Sequence, residues 1–245
     1  MKQFFLFVIL FLTFSCETKT AGICLSFDDK TVKEWYSLKQ YFKDNNVKVT
    51  FFITGSENLS IEEILYLKDL ENDGHEIGFH GTMHVVSEYY IKEKTYKEYF
   101  NNEIFKGLRD MKLKGFNPKS FAYPYGSKYW FTDLILLQFF DFTRNVTPRF
   151  GQNDLTKLNI YHEIGQVDKR TSALGIDRNS NVTIQMLDCA MKKAVNDNLV
   201  LMLYAHKPVS SDTVLNYEIS KEYLYKVVEL SKKNNLKFLT FEELL

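Results

Sequence analysis

The chain has few of the features that mark several common protein classes. It contains only 3 cysteines in 245 residues, and so few cysteines do not make a disulfide framework. Its 31 basic residues are balanced by 31 acidic ones, so no net charge steers it toward nucleic acid, and we expect no nucleic-acid partner. We find no internal repeat, no low-complexity tract and no interdomain linker. These absences favour one ordinary globular domain.

The N-terminal residues have the pattern of an export signal. Met1-Lys2-Gln3 is a short basic region, and residues 4–12 form an apolar run that is short for a bilayer span. The next residues, Thr13-Phe14-Ser15-Cys16, resemble a bacterial lipobox, in which the cysteine is lipidated and becomes the mature N-terminus. Plain secretion, with Cys16 removed or unmodified, is the alternative, because Phe14 matches the lipobox imperfectly.

We therefore predict a lipoprotein signal peptide over residues 1–15, a short tether over residues 16–21 and one folded domain over residues 22–245. Such a protein would be exported and held by a lipid at the membrane of a bacterial cell envelope, in the periplasm or at the cell surface. We expect a monomer. Cys24 and Cys189 lie in apolar patterns and are predicted to be buried. An oxidising compartment would permit a bridge between them, although nothing in the sequence requires one.

Beyond Asp29, amphipathic helical segments alternate with short apolar runs. Helices are predicted over residues 35–45, 60–71, 95–114, 129–139, 183–195 and 220–233. Strands are predicted over residues 22–25, 47–53, 75–80, 119–123, 140–146, 199–206 and 237–241. Residues 147–181 are the least periodic, and we expect one or two short strands there, around 160–161 and 164–167. About seven strands, each followed by a helix or long loop, favour an α/β fold with a parallel sheet or barrel.

Two adjacent carboxylates, Asp28 and Asp29, follow the first apolar run. Adjacent acids at the end of a buried strand repel each other and lose hydration, so they need a nearby cation or proton. A solvated turn is the ordinary alternative. Only partners elsewhere in the chain can decide between the two.

Histidines supply candidate partners for these acids. The chain has only 5 histidines, and His80, His84 and His206 fall at or just past predicted strand ends. His80 and His84 are four positions apart, a spacing that faces two imidazoles to one side of a helical turn. With one carboxylate they make a set of two histidines and one aspartate that leaves positions open for water, which is typical of a catalytic metal site. The histidine pair alone is a weak signal, because it also occurs by chance on polar surfaces.

Four motifs follow one another along the chain: Ser26-Phe27-Asp28-Asp29, His80-Gly81-Thr82-Met83-His84, Tyr123-Pro124-Tyr125-Gly126 and Leu201-Met202-Leu203-Tyr204-Ala205-His206. In this order they resemble the motifs of the polysaccharide deacetylases of carbohydrate esterase family 4, the NodB-homology fold. The resemblance spans nearly all of the mature chain. It implies a single distorted (β/α)7 barrel and the metal-dependent removal of acetyl groups, usually from N-acetylated sugar polymers.

The resemblance also implies a role for each motif residue. Asp28 resembles the catalytic base and His206 the general acid, whereas the metal ligands would be Asp29, His80 and His84. Tyr125, which follows Pro124, would offer its backbone N–H to the oxyanion. The implied cofactor is a divalent metal, Zn²⁺ first, with Co²⁺, Ni²⁺ or Fe²⁺ as alternatives, and the implied partner is an acetylated glycan.

Two departures from the family pattern concern the base. The family usually has an arginine, paired with the catalytic aspartate, where this chain has Ala122. It also usually has an aspartate and a tryptophan after the fifth strand, and residues 146–148 supply neither. Arg144 is a candidate replacement for the arginine if its side chain points into the barrel. A surface or structural ion pair is the alternative, because alternation in a strand leaves its face undecided.

Several other polar residues match no motif. We interpret His75 as structural or exposed, place His162 in the irregular segment, and expect Asp168 and Asp177 to be solvated loop acids. The sequence leaves three functions open: a deacetylase of an N-acetylated glycan, a glycan-binding surface lipoprotein without catalysis, and a related hydrolase of an ester or another non-peptide C–N bond. The presence of both Asp28 and His206 favours catalysis, because a binding protein needs neither an acid nor a base.

Overall fold

The structure is a computed structural model that describes residues 21–245. The predicted signal peptide, Cys16 and most of the predicted tether lie outside the described residues. The strands are β1 (Gly22–Asp29), β2 (Val49–Ile53), β3 (Glu76–Phe79), β4 (Ser120–Ala122), β5 (Phe142–Val146), β6 (Tyr161–His162), β7 (Arg170–Gly175), β8 (Val200–Ala205), β9 (Lys207–Val209), β10 (Glu218–Ser220) and β11 (Lys237–Phe238). The helices are α1 (Val32–Tyr36), α2 (Lys39–Asp44), α3 (Ile61–Asn72), α4 (Ser87–Glu93), α5 (Tyr96–Tyr99), α6 (Lys106–Leu113), α7 (Thr132–Leu136), α8 (Ile184–Asp197) and α9 (Lys221–Lys233).

Seven parallel strands close into a barrel in the order β1, β2, β3, β4, β5, β7 and β8, and β8 pairs back with β1. This arrangement confirms the predicted (β/α)7 barrel. Two further strands extend the sheet: β6 lies antiparallel on β8, and β11 lies parallel beside the start of β1. A separate parallel pair, β9 and β10, lies beyond the end of β8.

Strand alternation divides the apolar side chains into two layers. In β1, Ile23, Leu25 and Phe27 belong to the large cluster between the strands and the helices, whereas Cys24 belongs to a smaller cluster inside the barrel. Successive side chains of a strand point to opposite faces, so Asp28 shares the inward direction of Cys24. The sequence of β1 thus places one carboxylate at the mouth of the barrel.

The helices match the predicted pattern with local differences. The capping box of Ser60 and Glu63 at the start of α3 forms as the sequence predicts. The predicted helix over residues 35–45 is instead two short helices, α1 and α2. The predicted helix over residues 95–114 contains a wider π-helical stretch, Phe100–Phe105, between α5 and α6. Such stretches are frequent at functional sites, and this one carries Glu103.

The strand predictions for residues 147–181 are partly wrong. A short strand does lie near residues 160–161, but residues 164–167 are a turn and loop. The strand that completes the barrel is β7, which the sequence analysis missed because it begins with polar residues, Arg170-Thr171-Ser172. It pairs with β5 on one side and β8 on the other, so ring closure depends on it.

The cysteine predictions are half right. Cys24 is buried inside the barrel, but Cys189 is exposed on α8, and both are free thiols. Cys189 lies at the edge of the apolar stripe of α8, and in the structure its side chain faces solvent. Within residues 21–245, every helix is too short or too polar to cross a lipid bilayer.

Candidate active site

The motif residues meet at the carboxyl-terminal end of the barrel, as strand ends do in this architecture. Asp28 and Asp29 end β1, His80 follows β3, and His206 follows β8. These side chains line one cleft of about 480 Å³. The complete lining is Asp28, Asp29, His80, His84, Tyr123, Tyr125, Gly126, Val146, Asn179, Tyr204, His206 and Tyr217.

Three side chains converge as the predicted metal ligands. The Nε2 atoms of His80 and His84 lie 3.2 Å apart. Asp29 Oδ1 lies 3.2 Å from His84 Nε2 and 3.7 Å from His80 Nε2. His80 Nδ1 lies 2.8 Å from the Ala122 carbonyl, so it carries the proton and donates it there, which leaves the Nε2 lone pair for a cation. The donor set fits a divalent metal.

The protonation states of these ligands suit a cation. Burial lowers the pKa of His80 to about 4, and the charges of Asp28 and Asp29 do not offset it, so the ring is neutral at pH 7. Burial raises the pKa of Asp29, but its contact with His84 and the nearby histidines outweigh burial and hold the pKa below its ordinary value. A neutral imidazole and an ionised carboxylate are the forms that bind metal.

A buried glutamate that the sequence analysis missed holds the loop of His84. Glu103 Oε2 accepts a hydrogen bond from the Met83 amide at 2.6 Å, and Oε1 accepts one from the Val85 amide at 3.2 Å. The two amides flank His84, whose φ of 57° lies in the left-handed region. Burial raises the pKa of Glu103 to about 7 although these hydrogen bonds oppose the change. Glu103 thus holds the loop that carries His84, a candidate metal ligand.

The structure resolves the two alternatives for Arg144. Its side chain is fully buried, and Nη2 forms a short ion-paired hydrogen bond with Asp28 Oδ2. Arg144 on β5 is the direct register partner of Ala122 on β4, so the arginine stands one strand away from the family position. The Cζ atom of Arg144 lies 4.8 Å from the ring centre of Tyr204, a distance at which a cation is attracted by the ring.

The expectation that Asp177 is a solvated loop acid is wrong. Asp177 is buried, and its Oδ2 atom lies 2.6 Å from His206 Nδ1. Its Oδ1 atom accepts a hydrogen bond from the His206 amide at 3.0 Å. It follows the missed strand β7, which neighbours β8 in the ring, and this proximity brings the two side chains together. The sequence did hold a signal, because Asp177 ends an apolar run, Ala173-Leu174-Gly175-Ile176, as Asp28 ends the first one.

Asp177 changes the acid–base behaviour of His206. Burial of the ring lowers the pKa, but the hydrogen bond and charge of Asp177, together with the charges of Asp28 and Asp29, outweigh it and raise the pKa to about 9. His206 is therefore protonated at neutral pH. A charged imidazolium at the edge of the cleft can donate a proton.

Pro124 and Tyr125 form a tight turn after β4. Pro124 is buried, whereas Tyr125 is exposed with a φ of 57°. The Tyr125 ring lies against His84, with 4.6 Å between ring centres. At Gly126 an added Cβ would lie 2.0 Å from Val146 Cγ2, so only glycine fits beneath this turn. The turn places the Tyr125 ring beside His84, one of the three candidate metal ligands.

The remaining polar residues lie away from the cleft. His75 is buried and packs on Phe51, and its Nδ1 accepts a hydrogen bond from the Val49 amide at 3.2 Å. These contacts support the interpretation of His75 as a structural residue. His162 is also buried, and its Nδ1 lies 2.6 Å from the Gln166 side chain. Asp168 pairs with Arg170 at the surface, as a solvated acid does.

Comparisons with known proteins identify the family and the fold. A sequence profile described as polysaccharide deacetylase matches residues 16–138, half of the chain. A search of curated protein sequences found no match. The match covers the first three motifs, with both candidate acids of β1 and both candidate histidine ligands.

Solved structures share the fold across most of the chain. A family 4 carbohydrate esterase from Streptomyces lividans, in complex with acetate, has 13% identity and a TM-score of 0.57, over 89% of this chain and 91% of that one. A chitin deacetylase from Colletotrichum lindemuthianum has 18% identity and a TM-score of 0.57, over 93% and 88%. A mutant of a family 4 pseudoenzyme with restored enzymatic activity has 16% identity and a TM-score of 0.58, over 92% and 68%. At these identities the likeness shows the barrel alone; the sequence profile, with the motifs in its range, shows that this chain belongs to the polysaccharide deacetylase family.

Proposed function

We propose that this protein is a metal-dependent deacetylase that removes acetyl groups from an N-acetylated amino-sugar polymer. Membership of the family indicates a hydrolase that acts on acetylated polysaccharide. One observation carries the finer proposal: a carboxylate anchored by a cation and a charged imidazole line the same cleft as the three candidate metal ligands. A binding site for glycan alone has no use for this combination.

Asp29, His80 and His84 would hold the metal, with Zn²⁺ as the first choice and Co²⁺, Ni²⁺ or Fe²⁺ as alternatives. When bound, such an ion lowers the pKa of water and polarises a carbonyl oxygen. The position of Asp28 suits it to take a proton from water. Its Oδ2 atom is held by Arg144, while the buried Oδ1 atom accepts no hydrogen bond from the described residues and is available to a proton.

The other residues would assist the acyl transfer. The backbone N–H of Tyr125, oriented by Pro124, would donate to the oxyanion of the acetyl group. His206, kept protonated by Asp177, would give its proton to the leaving amine. Each assignment is a role for a side chain or amide of this chain, and each can be tested by substitution.

The proposed location follows from the N-terminal sequence. The lipobox-like residues before Cys16 support an exported lipoprotein anchored to the membrane of a bacterial cell envelope, with a monomeric domain that meets its glycan there. A chitin deacetylase among the similar structures supports an N-acetylated amino sugar as the substrate class.

The first experiment measures metal content and acetate release together. Purified protein loaded with Zn²⁺ is expected to bind one ion per chain and to release acetate from an oligomer of N-acetylglucosamine. Asp28→Asn should retain the ion and lose about 100-fold or more in rate, as loss of a general base does. His80→Ala should lose the ion. Metal-loaded protein that releases no acetate from N-acetylated glycan oligomers would contradict the proposed reaction.

A binding protein without catalysis is the second candidate. The arginine of the family motif is Ala122 here, and a mutant of a pseudoenzyme is among the similar structures. This candidate predicts glycan binding that is equal in the native protein and in Asp28→Asn, with no turnover in either. A third candidate, hydrolysis of an ester or another non-peptide C–N bond, predicts turnover of acetylated xylan or of simple amides in place of N-acetyl sugars.

A further inference from the structure

Tyr204 is a residue of the cleft to which the proposed reaction gives no role. It lies on β8 two residues before His206, is half-buried, and lines the cleft. Its register partner on β7 is Gly175, and an added Cβ at Gly175 would lie 3.0 Å from Tyr204 Cζ and Oη. The ring of Tyr204 therefore lies close against the backbone of the neighbouring strand, in a space that the glycine leaves open.

The ring of Tyr204 contacts the cation that anchors Asp28. Arg144 Cζ lies 4.8 Å from the centre of the Tyr204 ring and 5.3 Å from the centre of the Phe52 ring. Within residues 21–245, Nε and Nη1 of Arg144 are buried and make no hydrogen bond. Because a hydrogen bond holds the guanidinium only at Nη2, the two rings supply the other restraint on its orientation.

The same ring contacts the proposed proton donor. The ring centres of Tyr204 and His206 are 5.6 Å apart, and the ring planes meet at 76°, an edge-to-face arrangement. Asp177 holds His206 through Nδ1, but one hydrogen bond at one ring atom leaves the imidazole free to tilt. Contact with Tyr204 restricts this tilt.

The aromatic ring of Tyr204, rather than its hydroxyl group, makes these contacts. Tyr204 Oη forms no hydrogen bond with residues 21–245. Burial raises the pKa of Tyr204 to about 12, although the charge of Arg144 opposes the increase, so the phenol is neutral at pH 7. A phenolate would compete with Asp28 for the guanidinium, whereas a neutral ring leaves the ion pair intact.

We propose that Tyr204 is a positioning residue that serves the base and the acid of the reaction together. Its ring holds Arg144 against Asp28, and it holds His206 in the orientation from which the proton is given. The inference rests on the proposed deacetylase function, because it concerns the groups that carry out that reaction. Small displacements of such groups slow the chemical step, so a shared support affects the rate strongly.

The first test compares Tyr204→Leu and Tyr204→Phe as Zn²⁺-loaded proteins that release acetate from an oligomer of N-acetylglucosamine. Tyr204→Leu removes the ring and should lower kcat about 10- to 100-fold, with KM changed by less than about twofold. Tyr204→Phe keeps the ring and should retain at least about half of kcat. A loss in KM alone would show that the ring binds substrate, and equal losses in both variants would show that the hydroxyl acts. Either result would overturn the proposal.

Tyr161→Leu is the matched control. Tyr161 is also half-buried and has a cation near its ring, with Lys193 Nζ 5.3 Å from the ring centre. It pairs with Leu201 near the start of β8, away from the cleft. Tyr161→Leu should lower stability but leave kcat unchanged within about twofold. A loss of kcat in Tyr161→Leu equal to that in Tyr204→Leu would assign the effect to general destabilisation and overturn the proposal.

A double-mutant cycle tests the contact with Arg144 without turnover. Urea unfolding of metal-free protein measures the effect of Tyr204→Leu in two backgrounds: the native chain, and Asp28→Asn with Arg144→Met, which leaves no unpaired buried charge. The fall in the folding equilibrium constant should be about 2- to 30-fold larger in the native background. Equal falls would overturn the proposal.

NMR of the His206 ring tests the second contact in the same metal-free proteins. Loss of the neighbouring aromatic ring in Tyr204→Leu should shift the His206 ring signals, whereas Tyr161→Leu should leave them in place. Unchanged signals in Tyr204→Leu would overturn the role of Tyr204 toward His206. If the native protein releases no acetate, the proposed reaction fails, and the unfolding cycle and the NMR signals then decide the two contacts of Tyr204 on their own.

Discussion

Arg144 and Asp28 form an ion pair inside the barrel mouth, where neither charge reaches bulk water. A pair of this kind adds little net stability, but the loss of one partner leaves an uncompensated buried charge. Two atoms of the guanidinium, Nε and Nη1, are buried and have no hydrogen-bond partner among residues 21–245. Arg144 therefore depends on Asp28 and on the rings of Phe52 and Tyr204.

Arg144→Met is expected to destabilise the protein and to abolish most acetate release. Removal of one partner of a buried pair costs about 3–5 kcal/mol, which urea unfolding measures. The control is the double variant Asp28→Asn with Arg144→Met, which removes both charges and should recover most of the lost stability while it stays inactive. Equal unfolding midpoints for the single and double variants would show that the two side chains are not coupled.

His206 should titrate far above the ordinary range of histidine. Its pKa in the folded protein, about 9, lies above the ordinary value of 6.5, so the protonated ring stabilises the fold. This contribution is fully present below about pH 6.5 and is lost as the pH rises through about 9. Asp177→Asn removes the negative charge that raises the pKa of His206. The variant should therefore have a lower His206 pKa and should lose less stability as the pH rises through about 9.

The measurement is an NMR titration of the His206 ring in metal-free protein, native and Asp177→Asn. Urea unfolding at pH 6 and pH 10 checks the linked stability, and the native protein should lose on the order of 3 kcal/mol more than the variant does. A native His206 that titrates near 6.5 would contradict the role of Asp177.

The loop after β3 is the element that carries two of the three candidate metal ligands, His80 and His84. Gly81 in this loop has a φ of 81°, and the amides on both sides of His84 donate to the side chain of Glu103. An added Cβ at Gly81 would lie 2.1 Å from Glu103 Oε1, so a larger residue must displace either the loop or the glutamate. The π-helical stretch that carries Glu103 brings its carboxylate to this position.

Gly81→Ala is expected to weaken Zn²⁺ binding by about 10- to 100-fold, the range for residues that support metal ligands from behind. Gly165→Ala is the matched control, because Gly165 has a similar φ of 75° and an added Cβ there has no neighbour within 4 Å. Gly165→Ala should share with Gly81→Ala only the strain of an alanine that has a positive φ. Calorimetric Zn²⁺ titration of both variants makes the comparison, and equal affinities would show that the contact between Gly81 and Glu103 does not support the site.

At the scale of the whole molecule, the barrel separates its N-terminus from its cleft. β1 begins at Gly22 and ends at Asp29, and eight residues at about 3.3 Å each span roughly 25 Å. The described part of the chain thus starts at the end of the barrel opposite the site. If Cys16 carries a lipid, as we propose, the membrane anchor joins the barrel at the end opposite the cleft.

Removal of residues 1–20 is therefore expected to leave kcat/KM for acetate release unchanged within about twofold, while membrane association is lost. Cys16→Ser in the full chain should give the same loss of association. The measurements are detergent partitioning after expression in a bacterial host and acetate release from a soluble oligomer. Membrane association that persists in Cys16→Ser would contradict the lipoprotein assignment.

The sequence by itself determined much of this protein, because the signals are local. The motifs marked Asp28, Asp29, His80 and His84 as one candidate set, and the capping box of Ser60 and Glu63 marked the start of α3. The capping box depends on neighbours within a few residues, which helix geometry fixes. His80 and His84 instead meet across a loop with positive φ at Gly81 and His84, and not on the helical turn that their spacing predicts. The predicted number of about seven strands agrees with the barrel, but one member differs: residues 237–241 were counted, whereas β11 only flanks β1, and the barrel strand β7 was missed.

Only the tertiary structure decided which charges meet. Asp28 and Arg144 are 116 residues apart in the chain, and Asp177 and His206 are 29 apart. Their contacts exist because β7, a strand too polar at its start to be recognised, closes the ring between β5 and β8. The order of strands around the barrel, which local patterns do not encode, thus decided that Asp28 is paired with a cation and that His206 is paired with a carboxylate.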